Sequence, residues 1–247
     1  MIREFFVNEN PKFLFKPFGL IHNIFTITTI VFLIIIYFNR NRISKMDKTI
    51  ANKFLIISSI ILFLNMLIYT FGNLYYGSFN YKENLPFHLC FIANYMYMFA
   101  IIFKKPNLLR YTFFLGIIGP TAAILWPDLI STIDNYNFWQ LVISHHFFIN
   151  LSLFTYYKER QILTKKDMVK ALILIYILIA IMLPFNLIFK TNYIFSTQIP
   201  DNVLKLYPFL KPVPPILLVV GLSTLYGYVI YKFIVVKRNI ELKAVDK

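Results

Sequence analysis

A chain of 247 residues suits one domain, but 58% hydrophobic residues, 15% charged residues and a mean hydropathy of +0.64 exclude an ordinary soluble one. Its single cysteine, Cys90, excludes an intramolecular disulfide and any cysteine-based metal cluster. The formal net charge of +14 on so apolar a chain points to anionic lipid nearby rather than nucleic acid, for which there is no motif.

The N-terminal MIREFFVNENPKFLFKPFG lacks a compact charged region followed by an apolar core and a small-residue cleavage site, so no removed signal peptide is expected. Seven apolar runs follow, at roughly 19–38, 51–72, 85–103, 111–126, 138–156, 168–189 and 213–236. A helix of about 20 such residues crosses a bilayer, so the expected architecture is all-α, a seven-span cell-membrane protein with one integral membrane domain over 1–247. The fourth run is short and interrupted by Gly116, Gly119 and Pro120, which predicts a kinked or partly buried helix. In the last run, Gly221, Ser223, Thr224 and Gly227 read as close-packing residues. The longest connection, 190–212, is rich in proline and aromatics and is a candidate cover at the bilayer surface.

Basic residues orient the chain. One side carries Arg40, Arg42, Lys45 and Lys48, then Lys104, Lys105 and Arg110, then Lys158, Arg160, Lys165 and Lys166, and finally Lys237, Arg238, Lys243 and Lys247. The other carries only Arg3, Lys12, Lys16, Lys82, Lys190, Lys205 and Lys211. The positive-inside tendency puts the C-terminus in the cytoplasm and the N-terminus outside, as seven crossings require.

In that orientation every histidine and the only thiol fall in the outer half of the membrane. His22 lies just inside span one, His88 and Cys90 at the outer end of span three, and His145 and His146 in the outer half of span five. Asn94, Asn150 and Asn186 share this depth, with Asn192 and Tyr193 just beyond span six. Polar groups in a bilayer usually face an interior cavity, so a common depth suggests one site. In a continuous helix, positions 88 and 90 are about 200° apart, which opposes a self-contained His88–Cys90 pair. Pro86 suits a helix first turn, leaving free N–H groups near 87–90 to hold a developing oxyanion. Cys90 and Asn94 share a face at i, i+4, as do His146 and Asn150. The adjacent His145 and His146 point about 100° apart, so only one need face the interior. The ordinary roles stand beside these: a small packing thiol, histidines bonded to backbone carbonyls, and asparagines joining helices. The external Glu83, Asp128, Asp134 and Asp201 read as solvated loop charges.

The segments FGLIH, ENLPFHLCFIANYM, ISHHFFINLSLF and FNLIFKTNYIF occur in the order and span positions of the YwaF-type integral membrane proteins, which this chain resembles over nearly its full length. That seven-span bacterial group is related to eukaryotic membrane acyltransferases that remodel ether phospholipids with a cysteine and a histidine. The resemblance implies acyl transfer between lipids. It matches His88, with Phe87 standing where the eukaryotic pattern has its cysteine, and it matches Ser144–His145 at span five.

The leading expectation is therefore a lipid acyltransferase of the outer leaflet, with membrane lipids as partners and no cofactor. Cys90 or His88 would form the acyl-enzyme, and His145 or His146 would act as base. His22, Asn94, Asn150, Asn186, Asn192 and Tyr193 are the candidate substrate-binding residues. One rival is a zinc-dependent amidase or hydrolase with His22, His88 and His145 as ligands. The other is a transporter or lipid-binding protein without catalysis, which histidines lining a path through the membrane would favour.

Overall fold

The computed structural model describes residues 2–7, 13–160 and 162–245, with side chains through residue 240. Lys12 and Lys247 of the charge balance lie outside the described residues, as does the side chain of Lys243. The described residues form no strand; a single bridge pairs Leu14 with Ser131.

Among the described residues, five helices are long and apolar enough to cross a membrane: α1 (Leu20–Phe38), α2 (Lys48–Tyr76), α4 (Pro106–Leu125), α6 (Lys165–Phe189) and α7 (Pro215–Ile240). Between them stand the shorter α3 (Leu89–Ile102) and a rod, α5 (136–158). α5 is helical throughout, but its middle, Val142–Phe147, is a π turn between α-helical Tyr136–Leu141 and Phe148–Lys158.

Local chemistry sets the ends. Asp47 caps α2 by accepting from the N–H groups of Thr49 and Ile50, and Gly77 closes it in the left-handed conformation (φ 78°). Thr164 and Asp167 form a reciprocal capping box at the start of α6. Pro106 starts α4 at a first-turn position where a missing N–H does no harm, so this helix begins earlier than expected and is not short. α3 begins later than the sequence suggests. Its cap is His88, with extended backbone (φ −68°, ψ 147°), and Pro86 lies in the preceding turn rather than in the helix.

The packing inverts the soluble pattern. α1 buries His22 and Thr29 and exposes Ile24, Ile27, Val31 and Ile35, because only its polar groups need protein partners in hydrocarbon. α4 is the central helix, touching α3, α5, α6 and α7. Its fit against α5 requires a glycine: a Cβ on Gly116 would collide with Ser152 Oγ. Gly227 likewise lies against Leu172, whereas Gly221 faces open space and is not a close-packing position.

Candidate functional site

At the N-terminal end of α3 and the C-terminal end of α4, an apolar cavity of about 160 Å³ opens between α3, α4, α5, α6 and α7. His88, Cys90 and His145 line it. The helical-angle objection to His88 and Cys90 sharing a site therefore fails: residue 88 lies outside the helix as its cap, and the 100° rotation per residue does not apply to it.

The start of α3 shapes this wall. The His88 carbonyl accepts from the N–H groups of Phe91 and Ile92 at 3.0 and 3.2 Å. The N–H groups of Leu89 and Cys90, at the first two helical positions, have no backbone acceptor among the described residues. The His88 ring packs edge-on against Tyr193 at 4.9 Å and at a tilt against Phe195 at 5.4 Å, and makes no ring hydrogen bond among the described residues. Its nitrogens remain available to a ligand.

His145 comes from the π turn of α5. Its Nδ1 lies 3.0 Å from the Leu141 carbonyl, which can only accept. In the neutral ring the proton therefore sits on Nδ1, and Nε2 keeps its lone pair. A ring fixed in this tautomer can take a proton from a neighbouring group.

His146, one residue on, is turned away. Its Nδ1 meets Thr29 Oγ1 at 2.7 Å, while that hydroxyl donates to the Phe25 carbonyl, so the pair ties α5 to α1. His22 is held at both nitrogens: the Phe18 N–H donates to Nδ1 at 2.8 Å, and Nε2–H donates to the Ile124 carbonyl at 2.9 Å. Neither lines the cavity. The zinc set of His22, His88 and His145 is thus not assembled, and no group of three metal-binding side chains occurs among the described residues.

The asparagines are also elsewhere. Asn186 accepts from Thr191 Oγ1 and the Tyr193 N–H, and donates to the Tyr193 carbonyl and Ser196 Oγ, so its amide is spent on shaping the loop after α6. Asn192 turns the same loop through bonds to residues 197 and 198. Asn94, one turn below Cys90, is fully buried with both amide atoms unpartnered, and Asn150 donates to the His146 carbonyl. None of the four lines the cavity. Tyr193 acts from behind His88: its hydroxyl donates to the Tyr81 carbonyl at 2.5 Å and accepts from the Leu85 N–H at 3.1 Å. Burial pushes the phenol up to about 12, so it remains a donor throughout the physiological range.

The connection 190–212, a candidate cover by its prolines and aromatics, supplies a roof to the cavity. Ile194, Phe195, Ile199, Pro200 and Val203, all from the connection 190–212, close over it together with Trp126 and Tyr226. Ile194 and Phe195 adopt positive φ (60° and 53°), an unfavourable region for side-chain-bearing residues and strongly so for a β-branched one. Composition pointed to this connection as a cover, but apolar side chains without helical periodicity did not say which of them would face the cavity. Ser223, expected only to pack, is also part of the cavity wall.

The TMEM164 family model matches residues 15–233. The chain belongs to the TMEM164 family. This is a membrane protein family, and the match covers α1 to α6, most of α7 and every candidate residue of the cavity. Neither the curated proteins nor the solved structures gave a match. The family assignment and several apolar helices make the chain a multi-pass membrane protein.

Proposed function

We propose that this TMEM164-family chain is a lipid acyltransferase of the cell membrane, working in the outer leaflet through Cys90 and His145. One observation carries the reading: His88, Cys90 and His145 meet in a single apolar cavity, while His22 and His146 are occupied elsewhere. The YwaF-type resemblance supports the same chemistry. In this reading the whole chain is one membrane domain crossing seven times, with α3 and α5 completing the five longer helices. At about 1.5 Å per residue, the 136–158 rod is about 34 Å long and the shorter α3 about 21 Å. The N-terminus lies outside and the basic loops face the cytoplasm.

The reaction needs a nucleophile, a base and an oxyanion site. His145 Nε2 takes the Cys90 thiol proton, and the thiolate attacks the ester carbonyl of a donor lipid. The N–H group of Leu89, which has no backbone acceptor among the described residues, faces the developing oxyanion. Collapse breaks the ester C–O bond, leaves a thioester on Cys90, and the departing lysolipid oxygen takes the proton from His145. The hydroxyl of an acceptor lipid then gives its proton to His145 and attacks the thioester, restoring the thiol. Hydrocarbon walls from Ile118, Ala122, Ile175 and Leu222 suit an acyl chain and keep water from the thioester. His88, with a free imidazole, is the alternative nucleophile and otherwise a donor to the ester oxygen.

The test uses purified protein reconstituted with a diacyl phospholipid and an isotope-labelled lysophospholipid. Labelled diacyl product is expected from the wild type; Cys90→Ser should lose at least 100-fold of the rate and His88→Ala at least tenfold. Wild-type rates in both variants would overturn this active site. Product formation absent even from folded wild type would overturn the activity.

A further inference from the structure

The walls of the reactive cavity have a readable depth. On α4, Ile118, Gly119, Ala122, Ala123 and Trp126 line it at i, i+1, i+4, i+5 and i+8, a single face of the helix. On α7, Leu218, Val219, Leu222, Ser223 and Tyr226 repeat that spacing. Each stretch rises about 12 Å at ~1.5 Å per residue, so the two walls match in length. The cavity stops beyond Ile118 and Ile175. Leu115, Leu172 and Ile230, one turn further along α4, α6 and α7, are buried and do not line it. Gly227 accounts for the closure, since it brings α7 so near that a Cβ there would stand 3.3 Å from Leu172 and 3.6 Å from Ile118. None of the described lining residues is Asp, Glu, Lys or Arg, so the walls suit hydrocarbon and offer no fixed charge to a phosphate headgroup.

Gly119 is the gap in the α4 wall. It is half-buried, between the buried Ile118 and Pro120. A Cβ at this position would find nothing nearer than the Leu89 side chain, at 3.8 Å, which is ordinary van der Waals contact. At Gly116, one turn away, a Cβ would instead collide with Ser152 Oγ. Helix packing therefore requires glycine at 116 and not at 119, although glycine weakens the interior of any helix. What a side chain at 119 would take up is cavity space. That space lies beside Leu89, the residue before Cys90, and Ile118 of the floor is the adjoining position on α4.

We infer that Gly119 is the length-determining residue of this cavity: its missing side chain lets an unbranched chain bonded to Cys90 pass Leu89 and run on to the floor at Ile118 and Ile175. That the natural chain is the acyl group of a lipid rests on the acyl-transfer reading; the passage itself does not. A side chain at 119 narrows the passage beside the thiol, so short chains are still accepted and long ones are turned away. The floor sets the upper limit.

The experiment uses the full chain in detergent and its single thiol, Cys90. An alkyl methanethiosulfonate transfers its alkylthio group to the Cys90 thiolate, forming a disulfide and releasing methanesulfinate, and the intact mass reports the adduct. Rates are read for butyl and dodecyl reagents, and their ratio corrects for any change in thiol reactivity. Relative to wild type, Gly119→Leu should lower the dodecyl-to-butyl ratio at least tenfold. Gly119→Ala, whose Cβ has room, should lower it at least twofold and stands in if melting temperatures show Gly119→Leu to be unfolded. An unchanged ratio in the folded variant overturns the inference. The reconstituted acyl-transfer assay separates this result from the acyl-transfer reading. Gly119→Leu should shift donor preference from hexadecanoyl towards butanoyl chains at least tenfold, and an unshifted preference overturns Gly119 as the length-determining residue. A lowered alkyl ratio with no acyl transfer by folded wild type from any donor overturns the acyl-transfer reading and leaves Gly119 as the length gate of the Cys90 cavity.

Discussion

His145 and His146 are chemically identical neighbours with opposite surroundings. The π turn sets one ring into the cavity with Nδ1 on the Leu141 carbonyl, and the other towards Thr29 on α1. π turns recur at functional sites because the added residue re-aims side chains that a regular α-helix would direct elsewhere. Substitution separates the two roles. His145→Gln should abolish acyl transfer at an unchanged melting temperature, since glutamine fills the space but supplies no basic nitrogen. His146→Gln should retain most activity while losing about 1–3 kcal/mol of stability, as expected when a buried hydrogen-bonded pair is broken. Activity assays on reconstituted protein and thermal unfolding in detergent measure both. A variant pair with these effects exchanged would show that the ring facing Thr29 is the base.

Among the helices, α4 lies against α3, α5, α6 and α7, and at Gly116 it leaves no room for a Cβ beside Ser152 of α5. Gly116→Ala should destabilise the bundle by about 1–3 kcal/mol through overpacking. Gly116→Ala combined with Ser152→Ala should recover part of that loss, because the obstructing atom is Ser152 Oγ, with Ser152 Cβ and Phe148 Cζ both farther away at 3.1 Å. Thermal unfolding of the three variants would decide it; no recovery in the double variant would place the strain elsewhere. The long apolar helices were legible because hydrocarbon thickness imposes a run length that any reader can count. Their ends were less so, since Pro106 and His88 set boundaries through capping geometry rather than composition. The site was half legible. His88, Cys90 and His145 carried a chemical signal, and a regular 100° rotation already parted His145 from His146, but it could not allow for His88 lying outside the helix. The connection 190–212 was legible as a candidate cover, but not that Ile194, Ile199 and Val203 would line the cavity, because apolar residues in an irregular segment have no period to read.

At the scale of the molecule, the cavity and the larger share of the basic residues occupy opposite ends. The cavity with its histidines and thiol lies at one end of the bundle, and Arg40, Lys158 and Lys237 lie at the other. The proposed orientation puts the basic end at anionic cytoplasmic lipid and the cavity at the outer leaflet. The single native cysteine makes this orientation measurable. On a Cys90→Ser background, Lys82→Cys places a thiol in the loop before α3, and Lys105→Cys places one in the turn between α3 and α4; both native lysines are exposed. A membrane-impermeant maleimide added to intact cells should label the residue-82 thiol and leave the residue-105 thiol unmodified until the membrane is permeabilised. Because α3 alone separates the two positions, this comparison also asks whether its 14 residues cross the bilayer. Labelling of both thiols from outside would make α3 a re-entrant segment and reduce the crossings. Labelling of residue 105 alone would invert the protein and move the proposed acyl transfer to the cytoplasmic leaflet.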